Sequence, residues 1–436
     1  MSEKKVFLSG VGGIGVSALA QYLYFKGYKI YGSDICSNEN TDFLVKNCNL
    51  IFFENQKKEN IVFDFDFFIY SPAILDSNPE RMEVANRGIK EYSYPEFLGK
   101  ISKEKFTIAI SGTNGKTTTT AMTAEVLINQ KMKPTVIMGG ISKKFNSNFL
   151  YGDSDFFVVE SCEYKNSFLN IYPDVLIITN ITPDHLDFFK TFENVKKTFV
   201  KFIENVKDNG SIICNTSDVN LKEVIDMACK KGINIINYND FKIDKLNISG
   251  KYNKENAKTV LALSKILNFS KENAKKYLSD NFLGTKRRFE YIGKTKKGAL
   301  VYDDYAHNPE SINVFCKTLK EKYFDKNNVI IFQPHMYSRT FDFLDEFIEA
   351  LKIPDILFIE KIYSPRDDRK QITSEEFFEK VKSERGNKKT YFCKDHKDCI
   401  KQVREFDFNN EYVIATVGAS DIDKVSKELV ILKKVI

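Results

Sequence analysis

The segment Thr107-Ile-Ala-Ile-Ser-Gly112-Thr113-Asn114-Gly115-Lys116-Thr117-Thr118 carries the strongest chemical signal in the sequence. An apolar run feeds a glycine-containing loop, and the loop opens a threonine-rich helix. Glycines let successive backbone N–H groups turn inward, and a helix N-terminus adds partial positive charge, so together they cradle phosphate. Lys116 is spaced to reach the terminal phosphates of a nucleotide, and the Thr117 hydroxyl is spaced to ligate Mg2+. The usual phosphate loop has glycine where this chain has Ile110, so the turn is a shortened variant that begins at Gly112. The segment predicts an enzyme that uses ATP and Mg2+.

A second loop, Gly10-Val11-Gly12-Gly13-Ile14-Gly15, also follows an apolar run and precedes a helical stretch, and Asp34 closes the next strand-like run. Alone this pattern is a dinucleotide fingerprint and would suggest a nicotinamide-dependent dehydrogenase. Backbone amides do not read the rest of the ligand, however, so the loop specifies only a diphosphate. A dehydrogenase leaves the loop at Gly112–Thr118 without a purpose. A nucleotide-linked substrate on the first loop and ATP on the second account for both.

Carboxylates and histidines gather at the ends of other apolar runs. Glu160 and Glu163 follow Val158-Val159, and Asp184-His185 follows Asn180. Mg2+ takes oxygen ligands and keeps waters, so Glu160 is the expected direct ligand; His185 is the expected helper, on a second ion or its water. The chain has four histidines; His185, His307 and His335 all fall in such segments, and His396 reads as surface. Arg339 can grip a carboxylate with two parallel hydrogen bonds. Tyr305, His307 and His335 can orient an amine nucleophile.

These residues need a scaffold that brings run ends together. Short apolar runs alternate with turns and helical stretches, which is the pattern of α/β units with parallel sheets. Expected strands include Lys5–Ser9, Lys29–Gly32, Phe67–Tyr70, Thr107–Ile110, Phe156–Val159, Val175–Thr179, Ala299–Tyr302, Val329–Phe332, Ile356–Ile359 and Tyr412–Val417, with a first helix over Val16–Lys26. In open α/β sheets ligands bind beyond the carboxyl ends of the strands, where every polar segment above falls. Three domains are expected: residues 1–102, Rossmann-like; 103–286, a central P-loop ATPase-like parallel sheet; and 287–436, again Rossmann-like.

Bulk properties narrow the class. The net charge of +6 over 436 residues suits anionic small molecules and falls short of a nucleic-acid binder. No run approaches the roughly 18 apolar residues of a membrane span. The start lacks the apolar core and cleavage site of a signal peptide, so a cytoplasmic protein is expected. The eight cysteines have no paired metal-site spacing and read as reduced thiols.

In order, these segments resemble the Mur ligases nearly from end to end. The resemblance runs through Gly10–Gly15, Gly32-Ser33-Asp34, Ser71-Pro72-Ala73-Ile74, Gly112–Thr118, Glu160 with Ser167-Phe168-Leu169, and Asn180-Ile181 with Asp184-His185. It continues through Lys286-Arg287-Arg288-Phe289-Glu290, Asp303–His307, Phe332–His335 with Arg339-Thr340, and Gly418-Ala419 with Asp421-Ile422. The resemblance implies a UDP-sugar domain, an ATPase domain and an amino-acid domain. It implies that the carboxylate of UDP-N-acetylmuramate attacks the γ-phosphate of ATP, and that the amine of L-alanine then displaces phosphate from the acyl phosphate. The segments of the third domain point to alanine; a relative that adds another amino acid or a murein peptide is the alternative. A silent precursor-binding protein would be expected to lack Lys116, Glu160 or His185.

By the same resemblance, Gly12, Gly13, Ile14, Gly15, Ser33, Asp34, Ser71 and Ala73 would hold the UDP-sugar. Gly112–Thr118, Asn253, Asn256, Arg288 and Asp303 would hold ATP, with Asn253 and Asn256 near adenine. Thr117, Glu160 and His185 would hold Mg2+; Tyr305, His307, His335 and Arg339 would hold the second substrate. A monomer or homodimer is expected. The family usually has His at Asn114 and at Tyr252 and often Arg at Met336, which leaves Arg339 as the main grip on the amino-acid carboxylate.

Overall fold

The computed structural model describes residues 4–364 and 371–430. Two compact units divide the chain: residues up to 248 with 252–284, and residues 249–251 with 285 onward. The first unit contains two sheets and the second contains one, all dominated by parallel pairs, as the alternation of apolar runs and helices leads one to expect.

The first sheet is β1 (Lys5–Ser9), β2 (Lys29–Asp34), β3 (Ile51–Glu54), β4 (Phe67–Tyr70) and β5 (Glu91–Ser93), in the order β3-β2-β1-β4-β5. β1 is buried along nearly its whole length because helices cover both faces of a parallel sheet. Its Phe7 stacks on Phe68 at 5.6 Å and on Phe53 at 6.0 Å. Complete burial of such a ring contributes roughly 1.5–3 kcal/mol. The first helix spans Ile14–Phe25, starting earlier than the apolar periodicity suggests, because Gly13 already has the extended backbone of an N-cap.

The second sheet is β6 (Phe106–Ser111), β7 (Thr135–Ser142), β8 (Ser147–Leu150), β9 (Phe156–Glu160), β10 (Val175–Ile178), β11 (Ser211–Cys214) and β12 (Asn234–Asn237), in the order β12-β11-β10-β6-β9-β7-β8. Within this sheet only the β7–β8 pair is antiparallel among the described pairs. β6 lies centrally between β10 and β9, so residues after all three strands meet at one edge. Helix Ile14–Phe25 joins the two sheets. Phe25 stacks on Tyr151 at 4.9 Å, Asn148 donates to the Ile14 carbonyl, and Gln21 donates to Asn148 at 3.5 Å.

Glu125 ties the central helix Lys116–Asn129 to its surroundings. It is 1% exposed and accepts from Tyr277 (3.0 Å) and Ser142 (3.2 Å). Burial pushes its carboxyl up to about 7, against the pull of those two hydroxyls. A carboxyl raised on folding adds stability that is whole below its unfolded value and is lost as pH rises through about 7. The size is on the order of 3 kcal/mol. Glu125→Gln stays neutral, so its melting temperature relative to wild type should be more favourable at pH 8 than at pH 5. Parallel melting curves at the two values would contradict the buried-charge assignment.

The third sheet, in the second unit, is β13 (Glu290–Lys294), β14 (Leu300–Asp304), β15 (Asn327–Phe332), β16 (Ile356–Glu360), β17 (Thr390–Cys393) and β18 (Tyr412–Val417), ordered β13-β14-β18-β15-β16-β17. β13 pairs antiparallel with β14. Among the described residues no helix is long and apolar enough to cross a membrane.

Candidate functional site

β6 ends at Ser111 and the helix begins at Lys116, so Gly112–Gly115 form the turn between them. Gly112 and Gly115 have φ of +127° and +87°. A Cβ on Gly112 would stand 2.1 Å from Thr179 Oγ1, and one on Gly115 would stand 2.5 Å from Asn256 Oδ1. Backbone conformation and space therefore both demand glycine. The turn is laced to the end of β10. Asn114 N–H donates to Asn180 Oδ1 (3.0 Å), while Asn180 Nδ2 (3.0 Å) and Thr179 Oγ1 (2.6 Å) donate to the Asn114 carbonyl. Thr113 Oγ1 donates to the Thr182 carbonyl (3.1 Å) and accepts from its N–H (2.9 Å).

Lys116 folds back over this turn. Its ammonium donates to the carbonyls of Gly112 and Thr113 and lies 2.9 Å from the carboxylate of Glu163. Burial, the largest single influence, lowers its pKa, but the Glu163 charge and hydrogen bond together with the other acidic groups around it outweigh that, and the pKa is raised. Thr117 Oγ1 donates to Glu160 Oε1 at 2.9 Å, and Gly139 N–H donates to Glu160 Oε2 at 2.7 Å. His185 adopts a left-handed backbone (φ +52°), and its ring lies 4.6 Å from that of Tyr164, the residue after Glu163. Asn253 and Asn256 are buried on helix Lys251–Ala262, hydrogen-bonded to each other at 3.3 Å, with Asn256 against Gly115. The first unit thus brings Lys116, Thr117, Glu160 and Asn256 around one phosphate turn.

At the N-terminal loop, Gly10 and Val11 N–H groups donate to the Ser33 carbonyl (2.9 and 3.0 Å), and Gly12 N–H donates to Asp34 Oδ2 (2.8 Å). Ser33 presents its hydroxyl inward: it donates to buried Glu80 (2.7 Å), as Ser9 does (2.6 Å). Ser33 supports the loop through its carbonyl, while its side chain serves the interior. Ser71, against Gly10, and Ala73 form the turn after β4. Gly13, Ile14 and Gly15 begin the helix.

In the second unit, Asp303 and Asp304 end β14, and Asn308-Pro309 starts a helix with Asn308 Oδ1 accepting from Ser311 N–H at 2.8 Å. Tyr305, Ala306 and His307 are held in the short link. His307 Nδ1 donates to the Tyr305 carbonyl (3.0 Å), so in the neutral ring Nε2 is the acceptor. His335 follows β15, with its ring centroid 6.3 Å from that of His307. Arg339 Nη1 donates to His335 Nδ1 at 3.3 Å, which fixes the His335 proton on Nε2.

Asp303 differs from its expected setting. Its partner is Arg287 (Nε to Oδ2, 3.0 Å), whose other nitrogens donate to the carbonyls of Ser420 (2.5 Å) and Gly418 (2.7 Å). Burial pushes Asp303 up to about 6, although Arg287 pulls it down. Arg287 and Arg288 both lie over the Tyr305 ring at 5.1 Å. His396 is not a surface residue: half-buried, it bridges Glu360 (2.7 Å) and Asp421 (3.1 Å). Glu163 and Arg287 were not singled out by spacing. The paired Glu160/Glu163 and Arg287/Arg288 were the available signals, and neither pair says which member turns inward.

Comparison with known proteins bears on all of these segments. Residues 7–106 match the model of the Mur ligase family, catalytic domain; residues 110–285 match the Mur ligase middle domain; residues 287–420 match the Mur ligase, glutamate ligase domain. A curated UDP-N-acetylmuramate–L-alanine ligase of Clostridium kluyveri is 34% identical, aligned over 98% of both chains. The crystal structure of the UDP-N-acetylmuramate–alanine ligase of Thermotoga maritima superposes with a TM-score of 0.80 at 27% identity, over 98% of both chains. A murein peptide ligase of Psychrobacter arcticus, at 20% identity and a TM-score of 0.70 over 98% of both, shares the fold.

Proposed function

Because the chain belongs to the Mur ligase family, we propose that it joins the carboxylate of UDP-N-acetylmuramate to the amino group of L-alanine, using ATP. The observation that carries this reading is the end-to-end identity of 34% with a ligase named for that reaction. We assign residues 1–102 to the UDP-sugar, 103–286 to ATP and 287–436 to the amino acid. The cytoplasm, where both nucleotides are available, is the expected compartment.

Chemically, a carboxylate oxygen of the sugar acid attacks the γ-phosphorus, the bond to ADP breaks, and an acyl phosphate forms. The amine of L-alanine then adds to the acyl carbon, loses a proton, and phosphate leaves. Lys116 is a positive charge aimed along the phosphate turn, suited to the charge that builds on the transferred group. Glu163 and the turn carbonyls keep it charged and in place. The Thr117 hydroxyl and Glu160 carboxylate are hard oxygen donors 2.9 Å apart, which fits Mg2+; these two would hold the ion, with His185 as the candidate helper. That ion would neutralise phosphate charge.

In the second unit, Arg339 suits the carboxylate of L-alanine, with His335 holding the guanidinium in place. His307, held through Nδ1 by the Tyr305 carbonyl, is our candidate to orient the amine. Arg288 and Asp303 remain our candidates for the nucleotide, and Arg287 is the group that fixes Asp303. The route is tested with sugar acid labelled with 18O in its carboxylate. One labelled oxygen should appear in the released phosphate; unlabelled phosphate would contradict the acyl phosphate.

A further inference from the structure

Between the two phosphate turns of the first unit stands a side chain that belongs to neither motif. Tyr94 opens the helix Tyr94–Glu104, where Ser93 is the N-cap and Glu96 bonds back to it. Its phenol end lies on Gly15. A Cβ there would meet Tyr94 Cζ at 2.8 Å, Cε1 at 3.0 Å and the hydroxyl oxygen at 3.1 Å. Only glycine lets the phenol rest on the first turn of helix Ile14–Phe25, beside the amides of the N-terminal loop. Burial raises the phenol pKa, and the nearby Glu160 carboxylate raises it further, so the hydroxyl stays a neutral donor. Both Glu160 oxygens already accept hydrogen bonds, from Thr117 and from Gly139.

The position matters because of what a substrate must span. On the ligase reading, a diphosphate on Gly10–Gly15 and a carboxylate at the γ-phosphate would flank this phenol, which lies on Gly15 and feels the Glu160 charge. The spacing is held by helix Ile14–Phe25, bonded through Asn148 to the β7–β8 hairpin, whose Gly139 touches Glu160. We infer that Tyr94 is a substrate-binding residue whose hydroxyl donates to an anionic oxygen of the UDP-sugar acid, an inference that rests on the ligase reading above. A hydrogen bond to a charged oxygen is worth roughly a 10- to 100-fold change in affinity.

The test is calorimetric titration of the full chain and of Tyr94→Phe with UDP, UDP-N-acetylmuramate and ATP. The Phe ring keeps the packing on Gly15, and unchanged ATP affinity certifies the fold of the variant. The expected result is at least a ~10-fold loss of UDP-N-acetylmuramate affinity, with a matching rise in its KM and kcat within about twofold of wild type. An equal loss for UDP places the contact at the diphosphate; a loss confined to the sugar acid places it at the carboxylate. Unchanged affinity and KM, or a wild-type chain that binds neither ligand, would overturn the inference. If wild type binds the sugar acid but releases no phosphate with ATP and L-alanine, the ligase reading falls, and the affinity ratio still judges Tyr94.

Discussion

Lys116→Ala should lower ATP-dependent phosphate release by at least ~10³-fold while UDP-N-acetylmuramate binding survives. Preorganised positive charge on a transferring phosphoryl group is worth ~10³–10⁵ in turnover. Lys116 is the cation folded over the phosphate turn, fixed by two carbonyls and by Glu163. The variant also leaves Glu163, 2% exposed, without its counter-charge, at a cost of about 3 kcal/mol. Lost turnover must therefore be separated from lost folding. The double variant Lys116→Ala/Glu163→Gln removes the orphaned charge. It should recover melting temperature and remain inactive. Normal turnover in either variant would remove Lys116 from the mechanism.

Arg339→Lys should raise the KM for L-alanine by roughly 10- to 100-fold, with the KM for ATP nearly unchanged. The substitution keeps the charge and discards the planar fork, so a paired hydrogen bond to the amino-acid carboxylate is lost. A charge-assisted hydrogen bond is worth about 1.5–3 kcal/mol, which sets the range. The variant also loses the donation to His335 Nδ1. Steady-state kinetics with L-alanine varied at saturating ATP and sugar acid would measure it. An unchanged alanine KM would move the carboxylate grip elsewhere in the second unit.

The nucleotide-phosphate turn was legible because its determinants are local. One strand, one turn and one helix define it, and Gly112 and Gly115 report their backbone through their type alone. The parallel sheets were legible because strands buried on both faces read as continuous apolar runs. What escaped depends on distant segments. Glu163 meets Lys116 across 47 positions, and nothing in Glu160-Ser-Cys-Glu163 says which carboxylate turns to the lysine and which to Thr117. Arg287 has φ of +58°, an unforeseen left-handed conformation, and it rather than Arg288 pairs with Asp303. His396 lacks a motif, yet segments ending at Glu360 and Asp421 enclose it. Ser33 lies in a motif, but buried Glu80 takes its hydroxyl inward. Spacing finds the turn; only tertiary packing chooses each side chain's partner.

The most direct test of the central claim is phosphate release from ATP with UDP-N-acetylmuramate and a panel of L-alanine, glycine, L-serine and the murein tripeptide. The account predicts release that requires the sugar acid and a kcat/KM highest for L-alanine. A clear preference for the tripeptide would contradict it.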